Sequence, residues 1–187
     1  MKNIIILGPP RTGKSTLSSI ICKEFKNIHY ISGDSIRNAF IKIYPELGFT
    51  SKNTINKIDF CNFIKHIIDE NNIHLKRNIY YVIDSSDITL SNAINIFKNS
   101  IIIVLGCTDI SEYNYKELLK KYDTELEWTY NYSDEKLLEI CSETIESSRK
   151  LSLQCQEYNI KYFDTSKNRQ QVYDEILDFI KEEFINE

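Results

Sequence analysis

The chain has 187 residues, a formal net charge of −4 and five dispersed cysteines. This length suits a single domain over residues 1–187, and the acidic balance argues against extended contact with nucleic acid or an anionic membrane. An odd cysteine count without C-x-x-C spacing argues against a disulfide framework or a zinc site and favours a reducing compartment. No apolar run approaches the roughly 20 residues of a membrane-spanning helix, and no signal peptide precedes the first apolar run, so we expect a cytoplasmic protein.

Short apolar runs alternate along the chain with longer amphipathic stretches. The runs predict five strands, at residues 3–7, 28–32, 78–84, 100–105 and 160–163. The amphipathic stretches predict helices at residues 14–25, 35–43, 53–72, 88–97 and 169–184, and a long helix capped by Ser133. Continuous apolar strands separated by helices indicate an α/β fold, in which a doubly wound parallel sheet is covered by helices on both faces.

The first strand is followed by the pattern G-x-x-x-x-G-K-[ST], which is typical of a phosphate-binding loop. Such a loop wraps phosphates with its backbone N–H groups at the start of a helix. We expect Lys14 to contact the β- and γ-phosphates of ATP and Ser15 to bind Mg²⁺. The predicted ATP-binding residues are Gly8, Pro9, Pro10, Arg11, Thr12, Gly13, Lys14, Ser15 and Thr16. Arg11 either reaches a phosphate or faces solvent, and the alternative for the whole motif is a chance turn.

An acid, Asp84, ends the third predicted strand. That is the position of the second acid in phosphate-binding-loop proteins, which holds Mg²⁺ directly or through water. The alternative is that Asp84 caps the next helix. We therefore predict a metal site formed by Ser15 and Asp84.

Two further segments resemble the adenylate-kinase-like nucleoside monophosphate kinases. Ile31-Ser32-Gly33-Asp34-Ser35-Ile36-Arg37 is similar to the Ser/Thr-Gly-Asp-x-Leu-Arg element of that family, and Asp84-Ser85-Ser86-Asp87-Ile88-Thr89 stands in the place of its Asp-Gly-Phe-Pro-Arg-Thr. The resemblance implies a five-stranded parallel sheet in the order 2-3-1-4-5, with a mobile lid. It also implies that Arg37 faces the phosphoryl acceptor.

The chain departs from this family in two places that bear on the acceptor. Asp87 occupies the position of the second acceptor arginine, and it would repel a phosphate monoester. The lid segment, residues 108–135, corresponds to a region where the family usually carries arginines that clamp the phosphoryl group. Here residues 107–135 contain no arginine, and three lysines face eight carboxylates.

Asp34 and Arg37 also resemble the Asp-x-x-Arg element of polynucleotide 5′-kinases and related small-molecule kinases. That resemblance implies that Asp34 acts as a general base toward an acceptor hydroxyl and that Arg37 orients the acceptor. A hydroxyl acceptor needs such a base because its proton must leave as the new P–O bond forms. The alternative for Asp34 is a helix N-cap.

Two features of the second half of the chain have open interpretations. Arg149 interrupts an apolar row, Ile145 to Leu153, in the long helix. Its position resembles that of the phosphate-sensing arginine of these kinases, and the alternative is a buried ion pair with Glu146. Residues 125–132 combine carboxylates with the single Trp and two Tyr. They form either a lid surface that stacks a base or an amine-bearing acceptor, or an aromatic anchor onto the sheet.

These observations favour an ATP-dependent kinase that uses Mg²⁺ and a small-molecule or nucleotide acceptor, with Lys14, Asp34, Arg37 and Arg149 as the catalytic residues. The favoured acceptor is a hydroxyl of a metabolite, a nucleoside or a nucleic-acid end. One alternative is a nucleoside monophosphate kinase. The other is an ATPase or nucleotide-switch module without an acceptor. A degenerate kinase that only binds nucleotide fits less well with the intact Lys14, Ser15 and Asp84.

Overall fold

A computed structural model describes residues 1–48 and 57–185. The strands are Ile4–Leu7 (β1), Ile28–Ser32 (β2), Tyr80–Ser85 (β3), Ile101–Gly106 (β4) and Tyr162–Asp164 (β5). The described α-helices are Lys14–Glu24 (α1), Gly33–Ile43 (α2), Lys57–Leu75 (α3), Leu90–Ile96 (α4), Glu112–Tyr122 (α5), Asp134–Glu157 (α6) and Arg169–Ile185 (α7), and a 3₁₀ turn covers Pro45–Leu47. None of the described helices combines the length and the apolar character that crossing a bilayer requires.

The five strands form one parallel sheet in the order β2-β3-β1-β4-β5. This confirms the predicted fold class and strand order. Strand β1 lies at the centre of the sheet, paired with β3 on one side and β4 on the other. The connection after β1 runs toward one edge of the sheet, and the connection after β4 runs toward the other edge. A crevice therefore opens at the carboxyl end of β1, which is where such sheets bind ligands.

The apolar strands are buried on both faces. In β1, Ile5 and Leu7 join a core with residues of α3, α4 and α6, while Ile4 and Ile6 join a second core with residues of α1 and α7. All four side chains are at most 1 % exposed. A strand buried on both faces has no polar face, which explains why the sequence shows continuous apolar runs instead of alternation.

Helix α5 was not predicted, and it is the main difference between the predicted and observed elements. Ser111 caps the helix by accepting a hydrogen bond from the Asn114 N–H. Its buried face is small, comprising Tyr115, Lys116 and Leu119, so its apolar periodicity is weak. Tyr115 and Leu119 pack with residues of α6 in a third, smaller core. The lid segment therefore contains a helix that the sequence analysis did not identify.

The remaining boundaries agree within a few residues. Ser133 caps α6 as predicted, through a hydrogen bond from the Lys136 N–H. The predicted amphipathic stretch at residues 53–72 corresponds to α3, which begins at Lys57 in the described part, and residues 53–56 lie outside the described residues.

Candidate functional site

The loop between β1 and α1 is the segment for which the sequence predicts a phosphate cradle. Gly13 is left-handed, with φ 93°, and it precedes the first residue of α1. Because glycine has no side chain, the N–H groups of the first turn receive no cap from this position and face the loop. Thr12 is buried and donates its hydroxyl to the Pro9 carbonyl at 2.9 Å. The loop is thus held from inside by its own side chains, with a helix N-terminus at its base.

The ammonium of Lys14 lies within this loop. Its side chain donates to the Pro9 carbonyl oxygen over 2.9 Å, and the residue is only 7 % exposed. Burial lowers the pKa of Lys14 below its usual value, while nearby carboxylates act in the opposite direction, namely Asp34, Asp84 and Asp87. The three acids and Lys14 therefore belong to one electrostatic site at the carboxyl ends of β1, β2 and β3.

Asp84 lies at the end of β3 and is 2 % exposed. Its carboxylate accepts hydrogen bonds from the Tyr30 hydroxyl at 3.0 Å and from the Ser18 hydroxyl at 3.3 Å. Burial raises the pKa of Asp84, and hydrogen bonding from Ser15 and Tyr30 opposes that increase. The alternative of a helix cap is wrong, because α4 is capped by Thr89.

The donors at this position fit Mg²⁺. A carboxylate oxygen of Asp84 and the Ser15 hydroxyl lie close enough to interact. Mg²⁺ prefers oxygen ligands and is commonly held by one or two protein oxygens together with water and substrate phosphates. Tyr30 and Ser18 fix the orientation of the carboxylate, and neither was identified from the sequence. A hydroxyl residue on a strand and another on a helix form no sequence pattern that would have indicated this role.

Asp34, Arg37 and Asp87 meet beside the cradle. The Arg37 guanidinium is 2.5 Å from an Asp87 carboxylate oxygen and 3.3 Å from an Asp34 carboxylate oxygen. The side chains of Arg37 and Asp87 are 13 % and 12 % exposed, whereas that of Asp34 is 44 % exposed. Asp34 is not the N-cap of α2, because Ser32 accepts the capping hydrogen bond from the Ser35 N–H. Asp34 therefore presents an accessible carboxylate next to a buried, neutralised guanidinium.

Arg11 does not face solvent. Its guanidinium pairs with the carboxylates of Asp123 and Glu127, which lie in the lid segment, and its side chain is 14 % exposed. Its carbonyl accepts hydrogen bonds from the Tyr115 hydroxyl at 3.1 Å and from the Arg169 guanidinium at 2.9 Å. The cradle and the lid segment are thus joined through one residue.

Arg149 lies on the surface of α6, so the expectation that it is buried is wrong. The apolar row ends there, because Ile145 is buried and Leu153 is 60 % exposed. The proposed partner Glu146 instead pairs with Lys150, at 2.6 Å. Arg149 lines an open pocket of about 470 Å³ together with residues that follow β4 and β5, among them Thr108, Asp109, Ser166 and Lys167. A phosphate-sensing role for Arg149 stays a prediction.

The aromatic side chains of residues 125–132 do not anchor this stretch onto the sheet. Trp128, Tyr130 and Tyr132 are 53 %, 47 % and 41 % exposed. Trp128 and Tyr132 contact each other edge to face, with ring centroids 5.8 Å apart. The buried residue in this stretch is Thr129, which donates to Asp123. The rings form an exposed surface, and its role in stacking a ligand stays a prediction.

Comparison with known proteins gives partial sequence matches. No protein-family model matches the chain. An adenylate kinase from Desulforamulus reducens is 40 % identical over 55 residues, which is 29 % of this chain and 25 % of that enzyme. Adenylate kinase 3 from Oryza sativa subsp. japonica is 37 % identical over 71 residues, which is 37 % of this chain and 29 % of that enzyme. The matches therefore span between a quarter and a third of the length of these relatives.

Solved structures match over nearly the whole chain. A shikimate kinase from Bacteroides thetaiotaomicron has a TM-score of 0.58 at 14 % identity, covering 96 % of this chain and 98 % of that one. A gluconokinase from Sinorhizobium meliloti 1021 has a TM-score of 0.55 at 17 % identity, covering 93 % and 88 %. At such identities the likeness shows the fold alone. The chain has the fold of the P-loop kinases, and over part of its length it resembles the adenylate kinases in sequence, as predicted.

Proposed function

We propose that the chain is an ATP-dependent kinase that transfers the γ-phosphoryl group of ATP to a hydroxyl group of a small acceptor. The observation that carries this proposal is the grouping beside Lys14 of an accessible Asp34 with an Arg37 that is already paired with Asp87. An accessible carboxylate can take the proton of a hydroxyl, whereas a neutralised guanidinium offers little attraction to an anionic acceptor.

The cradle would bind the phosphates of ATP. The loop residues of the cradle other than Pro9 and Pro10, which have no N–H, would supply backbone N–H groups, and the ammonium of Lys14 would exchange the Pro9 carbonyl for phosphate oxygens. A kinase active site works mainly by holding the reactants in line and stabilising the charge on the transferring group. Both tasks suit the buried cation and the rigid loop.

Ser15 and Asp84 would hold Mg²⁺, which would supply positive charge that offsets the charge of the phosphates. Asp84 is suited to this task because Tyr30 and Ser18 fix its carboxylate at the end of β3. The protein side of the site then consists of one carboxylate and one hydroxyl.

Asp34 would act as the general base. The acceptor oxygen forms a bond to the γ-phosphorus while the bond to the β,γ-bridging oxygen breaks, and ADP leaves with that oxygen. The hydroxyl proton passes to the Asp34 carboxylate. Arg37 would orient Asp34 across their 3.3 Å contact, since the guanidinium is itself fixed by Asp87.

The second candidate function is a nucleoside monophosphate kinase. It is favoured by the local identity of 40 % to adenylate kinases. It requires the acceptor phosphate to bind near Arg37, which is occupied by two carboxylates, and near Asp87, which would repel it. The hydroxyl acceptor therefore fits the observed charges better. An ATPase without an acceptor would leave the grouping of Asp34 and Arg37 without a role.

Transfer from γ-labelled ATP tests the proposal. Nucleosides, nucleoside monophosphates, oligonucleotide 5′ ends and amine-bearing alcohols would be offered as acceptors, with Lys14→Ala as the blank. We expect label on a hydroxyl acceptor and loss of that transfer in Asp34→Asn. Label on a nucleoside monophosphate would establish the second candidate, and acceptor-independent release of phosphate would establish an ATPase.

The five cysteines are free thiols in the structure, which suits the reducing cytoplasm proposed as the location.

A further inference from the structure

Arg11 has an unusual backbone conformation for its residue type. Its φ is 66°, in the left-handed region that glycine adopts most easily. For other residues this conformation costs about 1–2 kcal/mol, and it persists where the surroundings hold it in place. The Tyr115 hydroxyl and the Arg169 guanidinium hold the Arg11 carbonyl here. An arginine is thus maintained at a strained position inside the phosphate cradle, which is evidence for a role of its side chain.

The Arg11 guanidinium is largely buried and donates to two carboxylates of the lid segment. Asp123, with a 4 % exposed side chain, and Glu127, with a 41 % exposed side chain, both accept from it. Its Nε, like those of Arg37 and Arg169, has no hydrogen-bond partner among residues 1–48 and 57–185. A buried donor without a partner is costly, and an additional acceptor in the cradle would remove that cost. The lid carboxylates alone therefore do not satisfy this side chain.

The same guanidinium lies close to the place of the phosphates. Arg11 belongs to the same loop between β1 and α1 as the buried Lys14, whose ammonium donates to the Pro9 carbonyl of that loop. Residues 107–135 contain no arginine, and in this chain Arg11 reaches the lid segment from the cradle. A bound triphosphate would thus compete with Asp123 and Glu127 for one guanidinium.

We propose that Arg11 exchanges partners: its guanidinium binds the lid carboxylates Asp123 and Glu127 in the nucleotide-free protein and the phosphate chain of ATP in the complex. Binding of ATP and release of the lid segment are then coupled, because each phosphate contact replaces a carboxylate contact. The proposal rests on the proposed function, in that it requires ATP in the cradle. It adds a phosphate-binding arginine supplied by the cradle, together with a lid that restrains it.

The exchange makes a prediction that a structural ion pair does not make. If the carboxylates compete with ATP, neutralising one of them tightens ATP binding. Glu127→Gln is the best variant, because Glu127 is the more exposed of the two acids and glutamine has nearly the same shape as glutamate. Glu125→Gln is the matched control, since it removes the same charge two residues away. Arg11→Gly removes the guanidinium at a position where glycine relieves the backbone strain, and Arg11→Lys keeps the charge.

Isothermal titration with Mg·ATP and Mg·ADP, without any acceptor, measures the coupling. We expect Glu127→Gln to bind ATP about 5-fold or more tightly than the wild type, which is the lower range of measured coupling between sites. Glu125→Gln should bind like the wild type, and Arg11→Gly about 10-fold or more weakly, consistent with loss of a charged hydrogen bond. Adding Glu127→Gln to Arg11→Gly should change nothing further, because the shared guanidinium is gone.

Each outcome decides the matter. Unchanged or weaker ATP binding by a folded Glu127→Gln would overturn the exchange and leave the proposed kinase function intact. Equal gains in Glu127→Gln with and without Arg11 would also overturn it, since the effect would then be general electrostatics. Wild-type protein that binds no ATP would overturn the proposed function and the exchange together. Should Arg11→Gly unfold, Arg11→Lys with Glu127→Gln completes the same cycle, with a reduced gain expected.

Discussion

Arg37 and Asp87 form a buried ion pair at 2.5 Å at the edge of the phosphate cradle. In the adenylate-kinase-like family, the position of Asp87 is the place of an arginine that would attract an acceptor phosphate. A carboxylate in that place reverses the local charge and also neutralises the arginine that remains. The proposal of a hydroxyl acceptor in place of a phosphate acceptor depends on this pair.

Asp87→Asn tests that relationship through stability. The variant leaves the buried Arg37 with Asp34 as its remaining carboxylate among the contacts described here, so the melting temperature should fall. Loss of one partner of a buried pair costs about 3–5 kcal/mol, and Asp34 should reduce that cost. Inorganic phosphate or AMP should then raise the melting temperature of Asp87→Asn and leave that of the wild type unchanged. Equal stabilisation of both proteins would contradict the assignment.

Lys14→Ala should remove ATP turnover and preserve the fold. The Lys14 ammonium is buried, and its hydrogen bond is to the Pro9 carbonyl, which also accepts from Thr12, so its removal leaves that carbonyl with a partner. Losing one preorganised charge contact to a transferring group reduces kcat by about 10²–10³-fold. Steady-state ATP consumption measures the loss, and circular dichroism checks the fold. Turnover within a factor of two of the wild type would refute the role of Lys14.

Asp84→Asn should stabilise the metal-free protein at neutral pH. Burial raises the pKa of Asp84 above its unfolded-state value, so the folded protein disfavours the ionised form. Below the unfolded-state pKa of about 4, both states are protonated and the variant should melt like the wild type. As the pH rises above that value, the wild type loses stability relative to the variant.

Thermal melts from about pH 3 to pH 8, without divalent cations, measure this difference. Mg²⁺ with ATP should raise the melting temperature of the wild type more than that of Asp84→Asn, because the variant lacks the carboxylate ligand. A variant that is less stable than the wild type at pH 7 would show that Asp84 has a net stabilising partner in the folded protein.

The two cradle glycines should differ in their tolerance of a side chain. A Cβ at Gly8, where φ is 150°, would lie 2.3 Å from the Leu105 carbonyl oxygen, and one at Gly13, where φ is 93°, would lie 2.2 Å from the Tyr173 hydroxyl. Both alanine variants should lose at least about 1 kcal/mol from the backbone conformation. Gly8→Ala should be the worse, because a β-strand carbonyl cannot move aside.

Urea unfolding provides the comparison. Tyr173→Phe removes the hydroxyl that meets the new methyl group at Gly13, so it should recover part of the stability of Gly13→Ala. The same change should do nothing for Gly8→Ala. Recovery in both backgrounds, or in neither, would contradict the steric explanation.

The sequence predicted those parts of the molecule that depend on local pattern. The central strand β1 is a continuous apolar run because it is buried on both faces, and the cradle motif is recognised because its glycines and Lys14 have fixed spacing. Helix α5 was not predicted because only one narrow side of it is buried, at Tyr115, Lys116 and Leu119. Its cap, Ser111, was the remaining signal, and a single cap does not predict a helix.

The parts that were missed depend on contacts between distant positions. Arg11 meets Asp123 across 112 positions and Glu127 across 116 positions, and no spacing rule connects them. Arg149 looked buried because Ile145 precedes it by one turn, but the buried face of α6 continues through Ser148 and Cys155, and Leu153 is 60 % exposed. A helix cap remained an alternative for Asp34 because the predicted start of α2 was two residues late. In the structure Ser32 caps this helix.

Transfer of the γ-phosphoryl group to a hydroxyl is tested most directly by identifying the type of phosphate bond that forms. Purified protein, Mg·ATP and the acceptor panel would be followed by ³¹P nuclear magnetic resonance, with Lys14→Ala as the reference. A hydroxyl acceptor gives a phosphomonoester resonance that grows as the γ-phosphate resonance of ATP declines, and this is the predicted result. ADP forms from ATP in either case, so nucleoside diphosphate in excess of the ATP consumed, without a new phosphomonoester resonance, would contradict transfer to a hydroxyl, as would inorganic phosphate alone.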